Sequence, residues 1–299
     1  MRRVKIVSLL PSATEIVFAL GLGDSLEGRS FECDFPAAAV RVAIVSGTAL
    51  PVDEHVTARE IDEAVATRVA AGESIYTLDA ERIRAIQPDL ILAQDLCEVC
   101  AVPSGAVTDA LDMLGCHAEV VSLDPSSLDD VIACVGQVGA VTGTSAAASG
   151  IMRDLRERVT RVRDAVDGLP PRRAVALEWA DPPFNGGHWI PDMLLAAGAE
   201  PVLSPPGARS RRMEWSEIAD EAPDVVLFMP CGYSLDGAVE EGAALRDHPA
   251  LTAADEIWAL DANAYFSRPG PRVVDGVELL AAVLHPDAFP PRAGATRLR

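Results

Sequence analysis

The sequence predicts an α/β protein built as two Rossmann-like lobes with mostly parallel sheets, joined by one long helix. Three observations predict it. Short apolar runs alternate with amphipathic stretches of helical period from Val4 to Leu123. The alternation stops over residues 144–168, where a helical pattern runs with no glycine or proline after Gly150. It then resumes from Arg173 to Leu284. Alternating strands and helices specify a parallel sheet with helices on both faces. The expected division is a first lobe over residues 1–143, a linker helix over 144–168 and a second lobe over 169–299, with a ligand cleft between the lobes.

Taken in order, Val4–Leu9 reads as a short apolar strand. Pro11-Ser12-Ala13-Thr14-Glu15 opens a helix to about Leu20, with Ser12 and Glu15 in the spacing of a capping box, and Gly21 and Gly23 ending it. Ser25–Gly28 is a second strand. Arg59–Ala71 is an amphipathic helix with Ile61, Val65 and Val69 at spacings of four. Ala80–Ile86 reads as a helix, Leu90–Ala93 as a buried strand, Val107–Leu114 as a helix and Glu119–Leu123 as a strand. The helix opened at Ser126-Ser127-Leu128-Asp129 runs to Thr142. In the linker, Ile151, Leu155, Val159, Val162 and Val166 form one apolar stripe, with Arg153, Arg156, Glu157, Arg161 and Asp164 on other faces. Gly168 and Pro170-Pro171 stop it. The second lobe reads as strands at Arg173–Glu178, Val225–Met229 and Ile257–Leu260. Its helices fall at Ile190–Ala197, Trp215–Glu221 and Val274–Leu284. The tail after Pro286 is expected to be mobile.

The chain has 299 residues, 49% of them hydrophobic and 23% charged, which is ample for a core in each of two domains. Its net charge of −20 argues against nucleic acid or an anionic membrane as partner and favours a neutral or cationic ligand. Arg2, Arg3 and Lys5 before an apolar stretch mimic a signal peptide, but Pro11, Ser12, Thr14 and Glu15 interrupt the run. The expectation is a cytoplasmic chain with no transmembrane segment. The alternative, for a truncated N-terminus, is a periplasmic or cell-surface location.

Strand ends are where open α/β sheets place ligands, and the polar clusters of this chain stand there. They are Glu32-Cys33-Asp34, Gln94-Asp95-Leu96-Cys97-Glu98-Val99-Cys100, Glu178-Trp179-Ala180-Asp181, Cys231-Gly232-Tyr233 and Asn263–Arg268, with Gly186-Gly187-His188-Trp189 ahead of a second-lobe helix. Cys97 and Cys100 form a Cys-x-x-Cys pair. With Cys33, Cys231 and His188 they make a candidate ligand set for zinc or another thiophilic metal. A redox dithiol is a second reading, although Asp95, Glu98 and Glu32 would raise the thiol pKa. A thiol-lined pocket floor is a third. Glu178 with Asp181, or Glu32 with Asp34, are candidate acid–base pairs or ligand-orienting carboxylates. Aromatic residues are only 5% of the chain, yet Trp179, Trp189, Trp215, Tyr233, Tyr265 and Phe266 lie in or beside these clusters, which points to a planar ligand. Ser12 at a helix start is a further candidate contact for an anionic group on a ligand.

The chain resembles the class III, cobalamin- and siderophore-type substrate-binding proteins of ABC importers. The resemblance rests on Val4-Lys5-Ile6-Val7-Ser8-Leu9 followed by Pro11-Ser12-Ala13-Thr14-Glu15, on Ile86-Gln87-Pro88-Asp89-Leu90-Ile91, on Pro183-Phe184 with Gly186-Gly187, and on Pro223-Asp224-Val225-Val226. It implies a ligand-binding protein holding a corrinoid such as cobalamin, or a related metal chelate, between two lobes. Trp215 matches the position of the tryptophan that faces the corrin. Glu32, Gln94, Asp95, Glu178, Trp179, Trp189, Tyr233, Tyr265 and Arg268 are the other expected ligand contacts. An ABC permease is the implied partner, docking on a glutamate of each lobe, Glu63 or Glu73 and Glu214 or Glu217. The alternative is a cytosolic metal- or thiol-dependent enzyme, or a metal receptor, on the same scaffold.

Overall fold

Two sheets organise the chain, one in each of two units. The computed structural model describes residues 3–50, 57–95, 105, 107 and 117–299. Unit 1 comprises Met1–Asp124 with Ala133–Ile151, and unit 2 comprises Pro125–Ile132 with Met152–Arg299.

Unit 1 contains strands β1 (Ile6–Ser8), β2 (Leu26–Ser30), β3 (Ala43–Thr48), β4 (Tyr76–Leu78), β5 (Leu90–Ala93) and β6 (Glu119–Ser122). Helix α1 (Pro11–Ala19) follows β1, α2 (Ala58–Ala70) follows β3 and α3 (Ala80–Ile86) precedes β5. The sheet order is β4-β3-β2-β1-β5-β6, parallel throughout except for the antiparallel β3–β4 pair. Its core is built from Val7, Leu9, Val45, Ile83, Ile91 and Ala93. All four residues of β5 are buried, as a central parallel strand covered on both faces requires.

Two helices follow, α4 (Leu128–Val141) and α5 (Ser145–Val166). On α5, Leu155, Val159, Val162 and Val166 are buried. Each contributes about 1.5–3 kcal/mol on burial. The same helix carries Arg158, whose guanidinium makes a two-pronged pair with Glu278 at 3.0 and 2.8 Å and also binds Asp275.

Unit 2 contains β7 (Arg172–Ala180), β8 (Pro183–Asn185), α6 (Ile190–Ala196), β9 (Ala199–Pro201), α7 (Trp215–Glu221), β10 (Val225–Phe228) and α8 (Leu235–Gly242). These lead to β11 (Glu256–Leu260), α9 (Ala262–Tyr265), α10 (Val273–Leu284) and β12 (Ala295–Arg297). The sheet runs β12-β11-β10-β7-β8, with β9 also on β7. Val175, Leu177, Val226, Phe228, Ile257 and Ala259 form the centre of its core.

The two units share a parallel four-strand plan, β2-β1-β5-β6 in one and β9-β7-β10-β11 in the other. They also share a junction. Helix α3 ends in left-handed Gln87 (φ 50°) and α7 in left-handed Ala222 (φ 45°). Each is followed by Pro-Asp and then a strand. A left-handed cap ends a helix, and the following proline prevents its continuation. The Asp89 carboxylate then accepts from the Lys5 backbone N at 2.9 Å, and that of Asp224 from the Arg173 backbone N at 2.8 Å.

Three local expectations are corrected. Ser12 does not cap α1. The helix starts two residues earlier than that cap requires, at Pro11, with Leu10 as N-cap and no side-chain cap, because proline suits the first helical position. Capping boxes lie instead on α2, between Thr57 and Glu60, and on α7, between Glu214 and Glu217. The stripe expected on α2 contains no buried residue. The tail after Pro286 is held: β12 pairs antiparallel with β11, and Arg299 donates to the carbonyls of Arg246 and Ala254, each at 2.8 Å.

Candidate functional site

At the carboxyl ends of β7, β10 and β11, unit 2 brings three of the expected clusters together. The Cys231 backbone N donates to the Glu178 carbonyl at 3.1 Å, and the Asn263 backbone N to the Tyr233 carbonyl at 3.1 Å. The Asn263 side chain adds a bond to the Gly232 carbonyl at 3.0 Å. Gly232 has φ +88°, a conformation that glycine adopts without a steric penalty. On this laced rim the Trp179 and Tyr233 rings meet edge to face, with centroids 5.8 Å apart. Both are half-buried, and the Trp179 Nε1 is buried without a hydrogen-bond partner. Burial, with Glu241 nearby, raises the Tyr233 pKa and keeps the phenol protonated. Cys231 is an exposed free thiol on the same loop.

Glu178 works inward from this rim. Its carboxylate accepts from the Gly187 backbone N at 3.2 Å and from the Ser210 hydroxyl at 2.5 Å. Glu178 therefore clamps the loop between β8 and α6 against residues 208–210. A side chain at Gly187 would collide with the Ser210 backbone. In this loop His188 takes a left-handed conformation, φ +55°, and its backbone N donates to the Ala208 carbonyl at 2.6 Å. The His188 Nε2 is buried and unpartnered. Burial first, and then Arg209, lower its pKa, so the imidazole is neutral at pH 7.

The other expected rings are placed differently. Trp189 is 7% exposed, and its Nε1 donates to the Phe266 carbonyl at 2.8 Å. It joins the start of α6 to the loop after α9 as a packing residue. Trp215 opens α7 and packs against the unit 2 core. The His248 ring stacks on it with centroids 3.9 Å apart, so one face of Trp215 is already covered. Tyr265 meets Phe266 edge to face and lies against Gly294 and Leu279. Arg268 is half-buried in the loop that follows.

In unit 1, Ser12 is buried in α1. Cys33 is fully buried, its sulfur accepting from the Thr14 hydroxyl at 3.1 Å. The Glu32 carboxylate accepts from the Tyr76 phenol at 3.5 Å. Gln94 is buried, its Nε2 donating to the Leu123 carbonyl at 2.9 Å, and the Asp95 backbone N donates to Asp124 at 2.6 Å. Gln94 and Asp95 thus tie the ends of β5 and β6 together. Cys97 and Cys100 lie outside the described residues. Among the described residues no three His, Cys, Asp or Glu side chains are grouped to hold a metal ion.

Sequence reasoning passed over Ser210, which donates to Glu178, and Phe31 and Phe35. These two rings follow β2 and are 37% and 44% exposed. The signal was present, since both flank the Glu32-Cys33-Asp34 cluster at a strand end.

A model of the family described as periplasmic binding protein matches residues 6–255. An uncharacterized ABC transporter substrate-binding lipoprotein of Bacillus subtilis, YvrC, is 23% identical, across 95% of this chain and 81% of that protein. A vitamin B12-binding protein of Vibrio cholerae is 23% identical, across 94% of this chain and 88% of that protein. Among solved structures, a periplasmic heme-binding protein of Pseudomonas aeruginosa superposes with a TM-score of 0.72 at 20% identity, covering 98% of this chain and 97% of that one. That superposition shows a shared two-lobed α/β fold.

Proposed function

This chain belongs to the periplasmic binding protein family, and we propose that it is the capture component of an ABC importer, binding a corrinoid or a related planar metal chelate. The observation that carries this reading is the Trp179–Tyr233 ring pair on the carboxyl-end rim of unit 2. A flat macrocycle has large apolar faces and polar edges. Rigid rings beside backbone amides and a protonated phenol meet both requirements. Relatives support the ligand class, because one is named for vitamin B12 and another for heme, both planar metal chelates.

Glu178 acts in this reading as a positioning residue for the Gly187-His188 loop. An acid–base role would need a free carboxylate, whereas this one is engaged by two donors. The relatives are binding proteins, so the enzyme alternative has no support among them, and neither does a resident zinc. An ABC permease is the partner in this reading. The working location is outside the cytoplasmic membrane, in keeping with a relative named as a lipoprotein and another as periplasmic. The expected cytoplasmic location draws no support from them.

Titration of the protein with cyanocobalamin, cobinamide and hemin, followed by tryptophan fluorescence, tests the reading. Saturable quenching by one of the three at micromolar concentration is expected. No saturable change with any of them refutes it. Separation of the source cells into fractions tests location, which is refuted if the chain stays wholly in the cytosol.

A further inference from the structure

The junction shared by the two units differs in one respect. In unit 2 the Arg173 guanidinium donates to the carbonyl of Glu221, the last residue of α7, at 2.9 Å, and to the Glu221 carboxylate at 2.7 Å. In unit 1 the Lys5 ammonium makes the equivalent bond to the carbonyl of Ile86, the last residue of α3, at 2.7 Å. The side chain at that position is aliphatic. Lys5 therefore lacks the carboxylate that Arg173 has, and among the described residues no other carboxylate forms an ion pair with it.

A pocket of about 420 Å³ opens at this point, lined by Arg3, Lys5, Gln87, Pro88, Asp89 and His117. Its rim is rigid. The Asp89 and Leu90 backbone N–H groups donate to the Lys5 carbonyl at 2.9 and 3.2 Å, and the Glu119 N–H donates to the Asp89 carbonyl at 3.0 Å. These bonds tie together the amino ends of β1, β5 and β6, at the opposite end of the sheet from the Gln94-Asp95 cluster. Lys5 spends one of its three N–H donors on Ile86. Among the described residues, Arg3 pairs with exposed Glu27 at 3.4 Å. Asp89 is the single acidic lining residue, and its carboxylate is engaged by the Lys5 backbone. Two cations and a histidine thus line one pocket in a chain of net charge −20.

We propose that this pocket binds the anionic group of a small molecule, a carboxylate or a phosphate, beside the Lys5 ammonium. The bound oxygens accept from the free N–H groups of Lys5 and from Arg3, as charge-assisted hydrogen bonds. The site lies apart from the rim of Trp179 and Tyr233 and does not depend on the identity of the ligand there.

The test uses the full chain at low ionic strength, titrated with inorganic phosphate and with citrate against chloride as control. The readouts are backbone amide shifts and the midpoint of thermal unfolding. Saturable shifts confined to residues 3–5, 86–89 and 117–119 are expected, with a rise in midpoint as mass action requires. Saturation by phosphate alone assigns a phosphate, by citrate alone a carboxylate, and by both either group. Lys5→Gln and Arg3→Gln should each weaken binding about tenfold while leaving the corrinoid titration unchanged. Shifts that never saturate, or that are unchanged in Lys5→Gln and Arg3→Gln, overturn the proposal.

Discussion

His188 combines a left-handed backbone, a buried and unpartnered Nε2 and a depressed pKa. Non-glycine residues with positive φ are uncommon, and such strain gathers at functional sites. His248, stacked on Trp215, is also depressed by burial. A histidine whose folded pKa is lowered stabilises the fold above its unfolded value and loses that contribution as pH falls. Stability should therefore decline as pH drops below about 6.5, where the unfolded chain takes up protons that the fold resists. His188→Asn keeps a residue tolerant of left-handed backbone. In urea melts from pH 7.5 to 5 it should flatten the decline, and a slope equal to wild type would refute the assignment. Glu178→Ala should cost about 2 kcal/mol, because it strips a charged acceptor from Gly187 and Ser210. It should also weaken ligand binding through the displaced loop, whereas Glu178→Gln should lose less of both. The cluster containing Glu178 was legible as a strand-end site. Its inward role was not, because the partners Gly187 and Ser210 are 9 and 32 residues away along the chain.

Among the elements, α5 was readable because its stripe of Leu155, Val159, Val162 and Val166 has a helical period over many turns. Its anchor, Arg158, was not, since Asp275 and Glu278 lie more than a hundred residues on. Arg158→Met keeps the apolar stem and removes the pairing, leaving Glu278 its ion pair with Arg292 and the charge of nearby Arg161. A loss of about 1–3 kcal/mol in urea unfolding is expected, less than for a fully buried pair. Strand β12 escaped sequence reading because three residues among prolines and arginines carry no period-2 signal. Its contribution is tertiary: Leu298 is 8% exposed in the unit 2 core, and Arg299 binds carbonyls of residues 246–254. Removal of residues 295–299 should cost about 3 kcal/mol or more and bare the edge of β11 to association. Light scattering and denaturant melts would register both effects, and a monomer of unchanged stability would contradict this account. At α1, Ser12 and Glu15 had the right spacing for a cap, but Pro11 claimed the first helical position.

At the scale of the whole molecule, one plan occurs twice, as four parallel strands with a left-handed cap and Pro-Asp before the third of them in chain order. Strand–helix alternation made that plan legible, since buried parallel strands are short apolar runs and their covering helices are amphipathic. The ligand was less legible, because it depends on which faces of scarce rings stay open. Trp189 and one face of Trp215 are covered by contacts that only the folded chain creates. The central claim is that the Trp179–Tyr233 rim binds a planar metal chelate. Isothermal titration of cyanocobalamin, cobinamide and hemin into wild type, Tyr233→Ala and Trp179→Leu tests it most directly. One of the three should bind wild type with saturable heat, and each substitution should weaken it about tenfold or more while the unfolding transition stays cooperative. Absence of saturable binding by all three, or equal affinity in the two variants, would contradict the account.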